Sequence, residues 1–253
     1  MDLGLKGRRA VITGASRGIG RSIAECLAGE GANLAICARG AEGVEAAKKE
    51  LGKKGVRVFA KAVDVADGDA LKAFVAESAH ELGGIDVLVS NVSSGGAGQG
   101  EAGFRSSFEI DLLGTVRACE AALPFLAKSG AGSIVVIGTT AAVETFGAPG
   151  GYGALKAALL NYASGLAHAV AKQNVRVNVV SPGPVYFAGG AWAMIEKAMP
   201  AFFESTLKAC PQGRMGAPEE VARAVAFLAS PAASLISGAN LVTDGAFTRR
   251  VNF

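Results

Sequence analysis

Short apolar runs alternate with stretches of helical periodicity along most of the chain. The apolar runs predict seven strands, at residues 9–13, 33–38, 56–63, 86–90, 133–137, 175–180 and 240–243. Helical patterns occur at residues 18–29, 42–53, 69–82, 104–127, 151–171 and 218–229. Strands that are apolar throughout and alternate with helices form parallel sheets covered on both faces. The pattern therefore predicts an α/β fold: a doubly wound, Rossmann-type parallel sheet of about seven strands in a single domain over residues 1–253.

Two segments interrupt this alternation. Residues 93–100 read SSGGAGQG after the fourth strand, and residues 186–210, rich in aromatic residues, Met and Ala, follow the sixth. Ligands of open α/β sheets bind at the carboxyl ends of the strands, so both segments are expected on the ligand side. Residues 186–210 are expected to form a substrate lid. Its large apolar residues are Trp192, Met194, Phe202 and Phe203. They either line an apolar substrate pocket or pack within a helical flap or a subunit contact, and both alternatives stay open.

Composition narrows the classes of function. Half of the 253 residues are hydrophobic and 19% are charged, which excludes a disordered chain. Lys and Arg exceed Asp and Glu by only three, without a dense basic run, so no nucleic-acid partner is expected. No apolar run reaches the roughly 18 residues of a membrane span. Four scattered cysteines indicate a reduced, cytoplasmic chain, and two histidines cannot build a His-based metal cluster.

Residues 13–20 read TGASRGIG, directly after the first strand and at the start of the first helix. Gly14 permits a tight turn, whereas Gly18 and Gly20 leave space where a pyrophosphate and the neighbouring strand must approach. The free N–H groups and partial positive charge of the helix N-terminus attract phosphate. This context predicts dinucleotide binding by Gly14, Ser16, Arg17, Gly18, Ile19 and Gly20.

The residues after the second strand indicate which dinucleotide binds. An acidic residue at this position accepts a hydrogen bond from the ribose 2′-hydroxyl of NAD, but this chain has Ala38, Arg39 and Gly40. Guanidinium groups pair well with phosphate, and both Arg39 and Arg17 can reach a 2′-phosphate. The alternative is that both are solvated surface arginines. The missing acid and the two cations together predict NADP(H).

Two further strand ends carry candidate cofactor residues. Asp64, beside Val65 after the third strand, can accept from the adenine amino group, cap the helix that follows, or do both. Asn91 ends the fourth strand, where its amide can hold the cofactor ribose or bridge strands. We assign Asp64, Val65 and Asn91 to the cofactor site.

Tyr152 and Lys156 form a Y-x-x-x-K pair at the start of a long predicted helix, which places both on one face. An isolated Tyr has a pKa near 10, and a cation within about 4–6 Å lowers it by roughly one to three units. Lys156 supplies that cation. Thr139, at the end of the fifth strand, can donate to a substrate carbonyl oxygen. The structural alternatives are a buried Tyr with a snorkelling Lys, and a β-branched strand residue.

These motifs together resemble the short-chain dehydrogenase/reductase family over essentially the whole chain, and most of all its 3-oxoacyl-carrier-protein reductase branch. The resemblance implies hydride transfer between nicotinamide and a small-molecule carbonyl/alcohol pair, with Tyr152 as acid/base and Lys156 on the ribose and the Tyr. It also implies that Pro182, Gly183 and Val185 lie under the nicotinamide. Because family members are commonly tetramers, it implies a homotetramer.

Four departures from the family pattern cluster around the nicotinamide. Thr139 replaces the usual Ser, and Asp111 replaces an Asn that helps to hold a relay water near the Lys. Residues 90–93 read SNVS instead of NNAG, and Phe187 replaces a Thr that often contacts the nicotinamide amide. We expect Asp111 to be ionised and to interact with Lys156, directly or through water; a protonated Asp111 or one that points away are the alternatives. The competing function is a non-catalytic NADP(H)-binding scaffold or sensor, which the retained Tyr152 and Lys156 disfavour.

Overall fold

A computed structural model describes residues 2–95, 100–146 and 150–251. Within these ranges one sheet contains seven parallel strands, in the order β3-β2-β1-β4-β5-β6-β7. The strands are β1 (Arg9–Thr13), β2 (Asn33–Ala38), β3 (Val58–Ala62), β4 (Val87–Ser90), β5 (Gly132–Ile137), β6 (Val175–Pro182) and β7 (Asn240–Thr243). The strand order reverses between β1 and β4, which confirms the predicted doubly wound sheet.

Alternate residues of each strand point to opposite faces, and each face carries its own apolar core. In β1, Ala10 and Ile12 pack on one face and Val11 on the other. The first face is covered by α1 (Gly18–Gly29), α2 (Ala41–Gly52) and α9 (Pro218–Ala229). The second is covered by α3 (Gly68–Leu82), α5 (Gly114–Lys128) and α6 (Gly151–Val170). Truncating a fully buried Leu in either core to Ala costs about 2–5 kcal/mol.

The helix predicted at residues 104–127 has a different form. It begins as α4 (Gly100–Ser107), widens into a π-helical stretch at Phe108–Leu113 and continues as α5. At the end of the wide stretch the N–H of Gly114 donates to the carbonyl of Glu109, five residues earlier. Hydrophobic periodicity does not reveal one wide turn within an otherwise regular helix. Such turns are frequent at functional sites, and this one carries Asp111, which is completely buried.

The described parts of the two segments that interrupt the alternation follow the carboxyl ends of β4 and β6. Residues 186–210 contain two short helices, α7 (Ala191–Ala198) and α8 (Pro200–Ala209). Trp192 stacks on Phe202 with ring centroids 5.9 Å apart, so these two rings pack the two helices against each other. Met194, by contrast, is exposed. Of the glycine-rich loop, residues 96–99 lie outside the described residues.

Candidate active site

A cleft of about 540 Å³ opens at the carboxyl ends of β1 to β4. We call it the strand-end cleft. Nine residues that the sequence assigns to the cofactor line it: Gly14, Ser16, Arg17, Ile19, Gly20, Arg39, Asp64, Val65 and Asn91. The chain thus brings the phosphate loop and the ends of β2, β3 and β4 together around one space.

The phosphate loop has the backbone that its glycines predict. Gly14 has φ +71°, a left-handed conformation that favours glycine. A Cβ on Gly20 would collide with the carbonyl oxygen of Gly14, so α1 can approach the loop this closely only without a side chain there. Among the residues that the structure describes, no side chain caps the N-terminus of α1. Its first N–H groups are therefore free to bind an anionic group, as a pyrophosphate requires.

Asn91 ties the end of β4 to this loop. Its backbone N–H donates to Thr13 Oγ1 at 3.0 Å, and its side-chain amide donates to the carbonyls of Thr13 and Gly14, both at 3.1 Å. Of the two roles left open for Asn91, the structure shows the bridging one. Contact with the cofactor ribose stays a prediction.

The charged residues of the cleft lie at its rim. Arg39 is exposed directly after β2, and Arg17 Nη1 donates to the carbonyl of Gly189 at 3.3 Å. Asp64 accepts from the N–H of Ala66 at 3.0 Å in a local turn. The cap of α3 is Asp67, whose carboxylate accepts from two N–H groups at the helix start. The capping alternative for Asp64 is therefore wrong, and its contact with adenine stays a prediction.

Tyr152 and Lys156 occupy one face of the first turns of α6, as their spacing predicts. Tyr152 is partly exposed, whereas Lys156 is 2% exposed and its Nζ donates to the carbonyl of Ile137 at 2.9 Å. Burial raises the pKa of Tyr152; hydrogen bonding with Thr139 lowers it, and the charge of Asp111 raises it further. Burial lowers the pKa of Lys156, and Asp111 opposes that shift.

Asp111 reaches this lysine from the π-helical stretch. Its Oδ1 lies 3.3 Å from Lys156 Nζ and has no hydrogen-bond partner among the described residues. Its Oδ2 accepts from the N–H and the hydroxyl of Ser94, at 3.2 and 2.6 Å. The structure thus shows the direct approach of Asp111 to Lys156 that we expected, whereas the ionised state of Asp111 stays a prediction.

Other residues of the predicted site are not among those that line the cleft. Thr139 Oγ1 accepts from the N–H of Ala141 at 3.2 Å, just past the end of β5. Pro182 is the last residue of β6, and Val185 is 7% exposed and pairs with Gly216. Pro182, Gly183 and Val185 do not line the strand-end cleft, so their place under a nicotinamide stays a prediction.

Nine further residues line the cleft. Val92, Ser93 and Phe187 belong to the departures that the resemblance places around the nicotinamide, whereas sequence reasoning assigned no site role to the other six: Ala38, Gly40, Val63, Ser94, Ser106 and Ile110. Ser94 is the most consequential, because it holds Asp111 across 17 positions of sequence. The one sequence feature that pointed to Ser94 is that it directly follows residues 90–93, where the chain departs from the family pattern. No described helix is both long and apolar enough to cross a membrane, and no described cluster of His, Cys, Asp and Glu has metal-binding form.

Comparison with known proteins places this geometry among oxidoreductases. A protein-family profile described as enoyl-(acyl carrier protein) reductase matches residues 14–248. Isoepoxydon dehydrogenase of Penicillium expansum is 38% identical over 249 residues, covering 97% of this chain and 96% of that protein. A 3-oxoacyl-acyl-carrier-protein reductase of Vibrio cholerae is 34% identical over 254 residues, covering 96% of this chain and 98% of that protein.

A solved structure shows the same architecture. L-Sorbose reductase from Gluconobacter frateurii, complexed with NADPH and L-sorbose, superposes with a TM-score of 0.91 and 31% identity. The match covers 99% of this chain and 100% of that one.

Proposed function

The chain belongs to the short-chain dehydrogenase/reductase family, and from this premise we propose that it is an NADP(H)-dependent oxidoreductase acting on a carbonyl/alcohol substrate. When bound, the nicotinamide supplies or accepts the hydride. The observation that carries the proposal is the convergence of three side chains at the end of β5. Lys156 donates to the carbonyl of Ile137, the last residue of that strand; Thr139 lies two residues further on, and its hydrogen bond lowers the pKa of Tyr152.

Each of these groups has a distinct part in moving the substrate proton. The Tyr152 hydroxyl gives its proton to the substrate oxygen in reduction and takes one in oxidation. Thr139 donates a hydrogen bond to the same oxygen, where negative charge develops. The ammonium of Lys156 favours the phenolate form of Tyr152 by its positive charge, and it offers a donor to ribose hydroxyls.

The strand-end cleft fits a dinucleotide that carries a 2′-phosphate. The crowded contact at Gly20 and the uncapped start of α1 suit a pyrophosphate. Arg39 and Arg17 offer guanidinium groups to a 2′-phosphate, and the position after β2 carries no acid that would favour NAD. The NADPH in the L-sorbose reductase complex supports the same assignment.

The relatives' names support a small ketone or secondary alcohol as substrate. Isoepoxydon, L-sorbose and a 3-oxoacyl group all carry a carbonyl or carbinol carbon. Residues 186–210 are rich in apolar side chains and therefore favour a hydrophobic substrate, a 3-oxoacyl thioester or another ketone. In this proposal the chain is a single domain, and residues 186–210 form a lid over the substrate.

We further propose that the protein is a homotetramer. Its four scattered, free cysteines support a cytoplasmic location.

One observation favours the competing function, a non-catalytic NADP(H)-binding scaffold or sensor. The carboxylate of Asp111 offsets part of the Lys156 charge and raises the pKa of Tyr152, which makes its hydroxyl a weaker proton donor and leaves less phenolate to accept a proton. A turnover assay distinguishes the two functions, because a scaffold binds NADPH without consuming it.

The experiment measures NADPH oxidation with a cyclic ketone, L-sorbose and a 3-oxoacyl thioester, and NADPH affinity by calorimetry. Tyr152→Phe should abolish turnover and leave the affinity nearly unchanged. Tyr162→Phe, in the same helix but packed beside Cys119, is the matched control and should retain both. Turnover by Tyr152→Phe would move the acid/base role elsewhere. Tight NADPH binding by the wild type without turnover of any substrate would favour the scaffold.

A further inference from the structure

The ring of Phe187 lies on the phosphate loop. A Cβ added to Gly18 would collide with the Cζ atom of this ring, so the ring rests directly on the Gly18 backbone. A Cβ on Gly190 would likewise lie 2.8 Å from the ring carbons Cε1 and Cζ. The ring therefore packs against two glycines, and it occupies space that any side chain at either position would fill.

A second contact joins the same turn to the phosphate loop. Arg17 Nη1 donates to the carbonyl of Gly189 at 3.3 Å. The turn is tight, because the N–H of Gly190 donates to the carbonyl of Phe187 at 3.0 Å and Gly189 has φ +74°. Residues 186–190, which we call the latch, thus contact the two phosphate-loop residues on which the proposed cofactor site depends, Arg17 and Gly18.

These contacts compete with a dinucleotide. A pyrophosphate needs the N–H groups at the start of α1, and Gly18 is the first residue of that helix. A 2′-phosphate needs the guanidinium of Arg17, which the Gly189 carbonyl engages instead. We propose that the latch, placed as the structure shows it, closes the phosphate loop and that NADP(H) must displace the Phe187 ring from Gly18 in order to bind. The inference rests on the proposed cofactor site.

The latch also connects the two halves of the active site. It leads directly into α7, whose second residue is Trp192, stacked on Phe202 of α8. Displacing the latch therefore shifts the start of the helices that we assign to the substrate lid. Trp192 is the only tryptophan in the chain, so its fluorescence reports on this movement without interference.

The test measures NADPH binding to Phe187→Ala and Phe187→Thr by calorimetry and by stopped-flow fluorescence of Trp192. A protein that binds only in its open form loses apparent affinity in proportion to the closed fraction, so removing the ring should lower the Kd for NADPH by about fivefold to tenfold. In the wild type, the observed binding rate should level off at high NADPH, where latch opening becomes limiting. In the variants it should rise linearly.

Phe125→Ala is the control, because Phe125 is an aromatic residue of α5 that lines a separate cavity beside His80 and Gly84 and does not line the strand-end cleft. It should bind NADPH like the wild type. Thermal unfolding checks that each variant is folded, and Phe187→Leu, which keeps apolar packing, replaces any variant that is not.

Three results would overturn the latch. Weaker NADPH binding after loss of the ring would mean that Phe187 holds the cofactor instead of blocking it. Equal affinity and equal rates in wild type and variants would remove the latch and leave the cofactor site intact. NADPH binding by neither wild type nor variants would overturn both the latch and the proposed function.

Discussion

Asp111 Oδ1 lies 3.3 Å from Lys156 Nζ, in a pair whose side chains are 0% and 2% exposed. Because water screens such a buried pair little, each charge acts strongly on its neighbours. The ammonium favours the phenolate of Tyr152, and the carboxylate disfavours it. The pKa of Tyr152 is raised by burial, lowered by its hydrogen bond with Thr139 and raised further by Asp111.

Asp111→Asn should move the pH profile of alcohol oxidation to lower pH. Oxidation requires deprotonated Tyr152, so its rate rises as pH passes the pKa of this residue. Removing a negative charge that raises this pKa lowers it, and the rise in rate then occurs at lower pH. The measurement is kcat/KM for an alcohol between about pH 6 and 11, a range that spans the ordinary Tyr pKa.

Glu101→Gln is the control for this change, because it converts a carboxylate to an amide on the exposed side of α4, where Glu101 pairs with Arg105. Its profile should match that of the wild type. An unmoved profile for Asp111→Asn would show that Asp111 is uncoupled from Tyr152. A shift to higher pH would show that Asp111 acts mainly by keeping Lys156 protonated.

Arg39→Asp should reverse the preference for NADPH over NADH. The new carboxylate repels a 2′-phosphate and can accept from the 2′-hydroxyl of NADH. Affinities for both cofactors, measured by calorimetry at one ionic strength, test this. Lys48→Asp, the same change of charge on the exposed face of α2, should leave the ratio unchanged. A wild type that prefers NADH would refute the charge argument.

Thr139→Ala should lower kcat by about 10²–10³, the usual effect of losing one donor to a developing oxyanion. Thr139→Ser keeps the hydroxyl and should restore most of the rate. NADPH affinity should change little in either variant, since Thr139 does not line the strand-end cleft. If alanine and serine reduce kcat equally, the methyl group matters and the hydroxyl does not.

Gly20→Ala should destabilise the phosphate loop. The added Cβ would collide with the Gly14 carbonyl oxygen and the Asn91 amide, a cost of about 1–3 kcal/mol for overpacking. Denaturant unfolding measures the loss, and NADPH affinity should fall with it. Gly29→Ala, at the other end of α1, meets nothing within 4 Å and should be neutral or slightly stabilising. Equal stability of the two variants would contradict the steric argument.

The chain should assemble into a homotetramer. Phe104 and Phe108, on α4 and the π-helical stretch, are 42% and 44% exposed, and an oligomer interface would cover such apolar surface. Light scattering at micromolar concentration should give a mass four times the 25.4 kDa of the chain. A mass equal to that of one chain would refute the assembly.

Local patterns determined most of the fold. The bounds of β1, α1, β2, α9 and β7 agree with the sequence prediction residue for residue. Adjacent residues determine where an apolar run, a turn or a helix begins, so these bounds can be predicted from local sequence. The phosphate loop and the Tyr152–Lys156 pair follow for the same reason. Their spacing is a property of a few residues in one element, which the backbone geometry converts directly into position.

Only the tertiary structure decided the contacts between distant segments. Ser94, Asp111 and Lys156 come from a loop, a π-helical turn and a separate helix, and no periodicity links them. The placement of Phe187 over Gly18 joins positions 169 residues apart. Local patterns determine which element a residue occupies, whereas the packing of elements across the sheet determines which side chains meet, and that depends on the whole chain at once.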